Sequence, residues 1–358
     1  MTRLIYARID SGALRANLQA VRARAPGCRV MAVVKANAYG HGLVTSALAL
    51  AQADAFAVAR LEEAMALRGA GLSGRIVLLE GVFTAAQLAQ AVSLGLDLVV
   101  HQQQQIALLE QYRGTRRSCV WLKVDTGMNR LGFRPEHFRA AWERLTRLTP
   151  PPQQLRVLTH LAGADEQDGE YTTEQLARLT PLIAGLSAEV SIANSAGILA
   201  QPATHAHWVR PGLALYGISP FAGRRGSDFG LRPAMALESC VIAVREVLPG
   251  ERVGYGGAWR AARRSRLAIV AAGYGDGLPR SLANGAPVLI GERRAPLAGR
   301  VSMDMIAVDV TDLPEVSVGD RVELWGTRLA VEEVAAAAGT IAYELVCAIS
   351  QRVPIELV

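Results

Sequence analysis

A chain of 358 residues, 51% apolar and 20% charged, is too long for one ordinary core and too apolar for wholesale disorder, so a barrel-sized domain plus a smaller one is expected. Its net charge of +6 comes from arginines scattered along the whole length, with no basic arm and no aromatic-interleaved motif, which argues against nucleic acid and for attraction of an anionic small molecule. Four widely spaced cysteines in apolar runs suggest neither a disulfide framework nor a metal site, and no stretch has the layout of a signal peptide or the length of a membrane span, so a cytoplasmic protein without metal or membrane contact is expected.

From residue 28 onward, short β-branched runs alternate with amphipathic stretches, the pattern of parallel strands covered by helices. The strand candidates are CRVMAVVK, AFAVA at 55–59, RIVLLEG at 75–81, LDLVV at 96–100, CVWLKVD at 119–125, QLRVLTHLA at 154–162, EVSIAN at 189–194 and HWVRPGLALYG at 207–217. Eight such units predict a (β/α)8, TIM-like barrel over residues 1–230 in preference to an open sheet. Between them, RLEEAMALRGAG has helical spacing and a glycine stop, and TAAQLAQAVSLG opens on a capping threonine. HQQQQIALLEQY keeps apolar spacing, which makes it a solvated helix face and not low complexity. After about residue 230, short alternating runs such as ALESCVIAVREV, RLAIVAAG and RVELWG, with turns at Pro249-Gly250, Asn284-Gly285 and Gly319-Asp320, predict a C-terminal all-β domain over 231–358.

A β/α barrel carries its site at the C-terminal ends of its strands, so the polar residues ending each run are the candidates. Lys35 ends the first run. Apolar walls and nearby cations can make such an amine a nucleophile toward a carbonyl, yet a lysine seen alone there reads more readily as a rim charge. In KANAYGHG, two glycines and Tyr39 just beyond it form a tight loop that lets backbone and phenol approach a ligand. Taken singly, His160 reads as a satisfied core histidine, Asn194-Ser195 as a helix cap, Pro211-Gly212 as a turn, and Tyr255 as a packing or interface residue.

MAVVKANAYGHG resembles the cofactor-binding signature of alanine racemases, the barrel-fold pyridoxal-phosphate enzymes. The similarity continues through WLKVDTGMNRLGF, THLAGADE, ANSAG, HWVRPGLALYG, VGYGG, AAGYGDGLPR and GRVSMDM, over almost the whole chain. It implies interconversion of L- and D-alanine, with pyridoxal phosphate held on Lys35 as a Schiff base, in a homodimer with shared active sites. By the same resemblance Arg130 bonds the cofactor's phenolic oxygen and orients the substrate carboxylate. Lys123, as a carbamate or as a plain strand lysine, steadies it. His160 is implied to bond Arg210, and Arg210 to face the pyridine nitrogen. A guanidinium keeps its proton, so the ring becomes a weaker electron sink, which disfavours transamination and suits racemisation.

The implied phosphate site comprises Tyr39, Asn194, Ser195 and the backbone amides of Gly212 and Leu213, after strands seven and eight, where barrels commonly bind phosphate. Inverting a stereocentre without turning the substrate over needs acid–base groups on both faces, and the resemblance gives the second base as the partner subunit's Tyr255. Tyr274 is implied to line the entrance and Met303 to give a backbone contact to the substrate carboxylate, with Arg280, Arg300 and Asp304 nearby. One element departs from the family: SYRVP reads SQRVP, so Gln351 replaces a tyrosine that contacts the phosphate and guards the pocket. A broad-specificity or serine racemase is therefore the nearest alternative, although such enzymes tend to carry secretion signals. A barrel-type decarboxylase is opposed by Arg210, and a non-catalytic pyridoxal-phosphate binder by the residues beyond the barrel. D-alanine made this way would feed cell-wall synthesis, as a peptidoglycan precursor, or be broken down.

Overall fold

The computed structural model describes residues 4–166, 168–313 and 315–358. The first strand, β1 (Ile5–Ile9), is followed by β2 (Arg29–Val33), β3 (Ala55–Val58), β4 (Ile76–Leu78), β5 (Asp97–Val100), β6 (Val120–Lys123), β7 (Leu155–Leu158), β8 (Val190–Ser191) and β9 (Trp208–Val209). Strands β2 to β9 form a closed parallel barrel, sealed by Arg29 opposite Trp208 and Val30 opposite Val209. Every residue of β3, β4, β5 and β6 is buried, which is why these strands read as continuous apolar runs and not as alternating ones.

The three predicted covering helices are present at Leu61–Gly69, Ala85–Ser93 and Gln103–Gln111. The Thr84 hydroxyl caps the second by accepting from Gln87 N at 3.2 Å. Two strands keep only two residues of their runs. EVSIAN pairs only at Val190–Ser191, and HWVRPGLALYG only at Trp208–Val209. Pro211 has no N–H for a ladder, and Leu213–Tyr216 then wind into a 3-10 turn.

Beyond the barrel, β10 (Met235–Val247) pairs antiparallel with Ser265–Val270 and with Arg321–Trp325. It also pairs with β1, placing Ile5 opposite Ser239, and β1 lies parallel to Ile355–Leu357. The chain's first strand thus belongs to the sheet of the second unit. That unit is mostly β, as expected, but it is not all β. Two short helices, Val331–Ala337 and Ala342–Cys347, occupy its end, where alanines and other helix formers displace the β-branched pattern. The three predicted turns are present, with φ of 88° at Gly250, 84° at Gly285 and 95° at Gly319. One apolar core runs from Leu213 and Tyr216 of the barrel to Leu237 and Trp325 of the second unit. Among the described residues no helix is long and apolar enough to cross a membrane, and no cluster of side chains could hold a metal ion.

Candidate active site

Lys35 follows β2, at the C-terminal end of the barrel, and opens an unusual turn. Ala36, Asn37, Ala38 and Tyr39 all have φ of 53–54°, and Gly40 follows at 79°. Left-handed backbone costs a non-glycine residue about 1–2 kcal/mol, so four in a row persist only where neighbours hold them. Here Asn37 Oδ1 accepts from Leu43 N at 2.8 Å, and Glu63 Oε1 accepts from Ala36 N at 2.7 Å. A Cβ at Gly40 would collide with the Val346 carbonyl, so the helix Ala342–Cys347 of the second unit packs directly on the turn.

Lys35 shares a cavity of about 450 Å³ with Lys123, Arg130 and Arg210, and Glu80 is the one carboxylate among its described lining residues. Lys123 ends β6 and is buried. Desolvation, then the charges of Arg210, Arg130 and Lys35, bring its ammonium down to about 8, with Asp125 opposing. Arg130 stands on a loop folded around the buried Asp125 carboxylate, which accepts from Gly127 N and Asn129 N at 3.0 Å each. Asn129 is left-handed at φ 56°, and Phe133 N returns the chain to the Lys123 carbonyl at 2.9 Å.

Arg210 is buried just after β9. Its Nη1 donates to Ser191 Oγ at 2.6 Å, and Nη2 to Thr159 O at 2.5 Å and Ile192 O at 3.1 Å. Burial lowers its guanidinium to about 9, which leaves it cationic at neutral pH. His160 Nδ1 lies 3.4 Å from Arg210 Nη2, the contact that the resemblance implied. Desolvation, with Arg210, Lys123, Arg130 and Lys35 around it, holds the imidazole well below its ordinary value, so the ring is neutral and Nδ1 accepts. Gln175 fixes this corner by donating to the His160 carbonyl at 3.0 Å and to Thr126 Oγ1 at 3.1 Å.

The opposite wall contains Tyr39, Asn194, Ser195, Gly212 and Leu213. Asn194 is a working N-cap, its Oδ1 accepting from Gly197 N at 3.0 Å. The Gly212 amide is already engaged: Ser195 Oγ accepts from Gly212 N at 3.0 Å and from Ala214 N at 3.2 Å. The Ser195 hydroxyl hydrogen and the Leu213 N–H are therefore the groups left to donate, and no acceptor for Leu213 N is found among the described residues. Gly212 cannot be larger, because a Cβ there would sit 2.5 Å from the Tyr39 hydroxyl.

Residues 9–220 match the alanine racemase N-terminal domain family, and residues 234–357 match the alanine racemase C-terminal domain family. The chain belongs to the alanine racemase family. It is 49% identical over 355 residues to the alanine racemase of Shewanella amazonensis, covering 98% of each chain. It is also 49% identical over 350 residues to that of Pectobacterium atrosepticum, covering 98% of this chain and 97% of that one. Among solved structures, the biosynthetic alanine racemase from Pseudomonas aeruginosa has a TM-score of 0.97 at 47% identity, and that from Acinetobacter baumannii 0.92 at 37%. Both alignments cover all of each chain.

The remaining candidates lie outside the cavity. Tyr255 sits in a tight turn between Arg252–Val253 and Trp259–Arg260 and is 64% exposed, while Tyr274 and Met303 are 41% and 51% exposed. Their segments lie side by side: Arg300 backbone approaches Gly254, Tyr274 N donates to Ser302 O at 3.0 Å, and Gly275 N to Met303 O at 2.9 Å. Gln351 is exposed, beside Arg352, which bridges Asp276 at 3.1 Å and Asp304 at 2.7 Å. Sequence reasoning missed Tyr343 and Cys347, which line the cavity from the second unit. The Tyr343 ring packs tilted, 6.0 Å from that of Tyr39, and burial pushes its phenol up to about 12. The only sequence signal for them was the helical spacing of AYELVC in a region otherwise read as strands.

Proposed function

We propose that this chain interconverts L- and D-alanine with pyridoxal phosphate, in a homodimer whose two sites are each built from both copies. The cavity suits such a cofactor: Lys35 offers an amine for its aldehyde, and the Leu213 N–H, Ser195 Oγ and Tyr39 hydroxyl offer donors for its phosphate. Four cations against one carboxylate suit a phosphate dianion together with a substrate carboxylate. When bound, pyridoxal phosphate supplies an electron sink that acidifies the amino acid's Cα–H.

Arg210 would hold the ring nitrogen by donation from Nε, since its other nitrogens serve Ser191, Thr159 and Ile192. It keeps its proton, so the sink stays weak and reprotonation at Cα is favoured. Arg130 would bind the cofactor's phenolic oxygen and the substrate carboxylate, with Lys123, as a carbamate or as a plain strand lysine, steadying it. Lys35 Nζ would move the proton on the D-face. The observation that carries the shared site is Tyr255, 64% exposed and not on its own chain's cavity. One chain supplies one base, and the partner subunit's Tyr255 would supply the other. On the same reading its Tyr274 and Met303 would border the entrance. Free cysteines fit a cytoplasmic setting, where D-alanine would feed cell-wall synthesis or be broken down.

The test is incubation of the purified protein with pyridoxal phosphate and each L-amino acid, with the D-enantiomer measured by chiral chromatography. D-alanine as the main product is expected, and its absence would contradict the proposal. Comparable rates with serine or bulkier substrates would favour the broad-specificity alternative, which the exposed Gln351 at the family's gate position supports.

A further inference from the structure

Two buried nitrogens without a hydrogen-bond partner among the described residues belong to side chains that line one small cavity where the barrel meets the second unit. His41 is fully buried just past the Lys35 turn, with Nδ1 2.8 Å from the Tyr39 carbonyl. A carbonyl only accepts, so the proton sits on Nδ1 and Nε2 presents a lone pair. Burial pushes the ring down to about 4, which keeps it neutral across the physiological range. Trp325 ends the strand Arg321–Trp325 and is 1% exposed. Its indole N–H can only donate. His41 Nε2 and Trp325 Nε1 both lack a hydrogen-bond partner among the described residues, and both side chains border a cavity of about 10 Å³ whose other walls include Ile218, Met235, Val331 and Val346.

We propose that one water molecule fills this cavity, accepting from Trp325 Nε1 and donating to His41 Nε2, and that His41 is through it a positioning residue for Lys35. The volume is about that of a single water probe, and the apolar walls offer a second water neither room nor partners. An acceptor and a donor left unpaired in a dry seam each carry a desolvation penalty that the bridge removes. The bridge fixes the tautomer that grips the Tyr39 carbonyl. The imidazole also packs 4.5 Å from Tyr216, whose hydroxyl donates to Val33 O at 2.9 Å, two residues before Lys35. A strand of the second unit thereby braces the left-handed turn from beneath. The positioning role rests on reading Lys35 as the cofactor lysine, whereas the water site does not.

The test is an atomic-resolution crystal structure of the holoenzyme, wild type and Trp325→Phe, with steady-state kinetics and the pH dependence of the bound cofactor's absorption. Expected is one water within about 2.7–3.2 Å of both nitrogens in the wild type, lost in Trp325→Phe. That variant should show kcat lowered about fivefold to tenfold, KM for alanine changed by less than about twofold, and a shifted absorption–pH profile, as loss of one bridging bond at a positioning residue requires. No water between the nitrogens in the wild type overturns the site. A water present, with Trp325→Phe matching the wild type in kcat and in its absorption profile, overturns the positioning role. A wild type that carries the water yet makes no D-alanine contradicts the reading of Lys35 and leaves the water site standing.

Discussion

Lys123 lies among Arg210, Arg130 and Lys35, and desolvation together with these charges takes its ammonium from an ordinary 10.5 to about 8. A carbamate forms when a neutral amine attacks carbon dioxide, making an N–C bond and releasing one proton, so its formation follows the neutral fraction. At pH 7 an amine titrating at 10.5 is neutral in about one molecule in 3,000, and one titrating near 8 in about one in 11, a gain of about 300-fold. The carbamate would also replace one of four cavity cations with an anion beside Arg130, which Coulomb attraction favours. The assay is carbon NMR of the protein in ¹³C-bicarbonate. One carbamate resonance is expected, stronger at pH 8 than at pH 6 and absent in Lys123→Arg. Its absence at pH 8 in saturating bicarbonate, or its survival in Lys123→Arg, would refute the reasoning.

Tyr255→Phe should lower racemisation about 10²–10⁴-fold, the usual worth of a positioned acid–base group. Deuterium entry at Cα should then fail from L-alanine and persist from D-alanine; the reverse pattern would contradict the assigned faces. Gly212→Ala would drive a methyl against the Tyr39 hydroxyl, and we expect cofactor affinity to fall at least about tenfold by equilibrium dialysis, with the barrel still folded. His41 and His160 both titrate lower in the fold than when unfolded, so the unfolded chain binds more protons as pH falls below about 6.5. Stability is therefore full above that value and lost toward pH 4, with His41 alone contributing on the order of 3 kcal/mol. Melting curves of His41→Phe should fall less steeply over this window than those of the wild type, and equal slopes would remove His41 from the account.

The barrel was legible because its strands are buried on both faces and separated by helices with local caps and stops. All of that information lies within windows of a dozen residues. Lys35 ended its predicted strand, Arg130 followed one closely, and Lys123, His160 and Arg210 lay within theirs; the structure brings all five to one cavity. The pairing of β1 with β10 was not legible, since nothing within IYARI indicates a partner at Met235–Ser239. Tyr343 and Cys347 escaped because their place depends on how the second unit docks on Gly40. The engagement of the Gly212 amide by Ser195 depends on how two loops meet in space, which spacing along the chain does not encode.

The shared site is the claim most directly open to measurement. Lys35→Ala and Tyr255→Phe would each be inactive alone, and the two are mixed under conditions that exchange subunits. Half of randomly paired dimers are then mixed, and each carries one intact site, so D-alanine formation should recover to about a quarter of the wild-type rate. Recovery to that level is the predicted result. A mixture that stays as inactive as its parents, once mixed dimers are verified by mass spectrometry, would contradict an active site built from Lys35 of one copy and Tyr255 of the other.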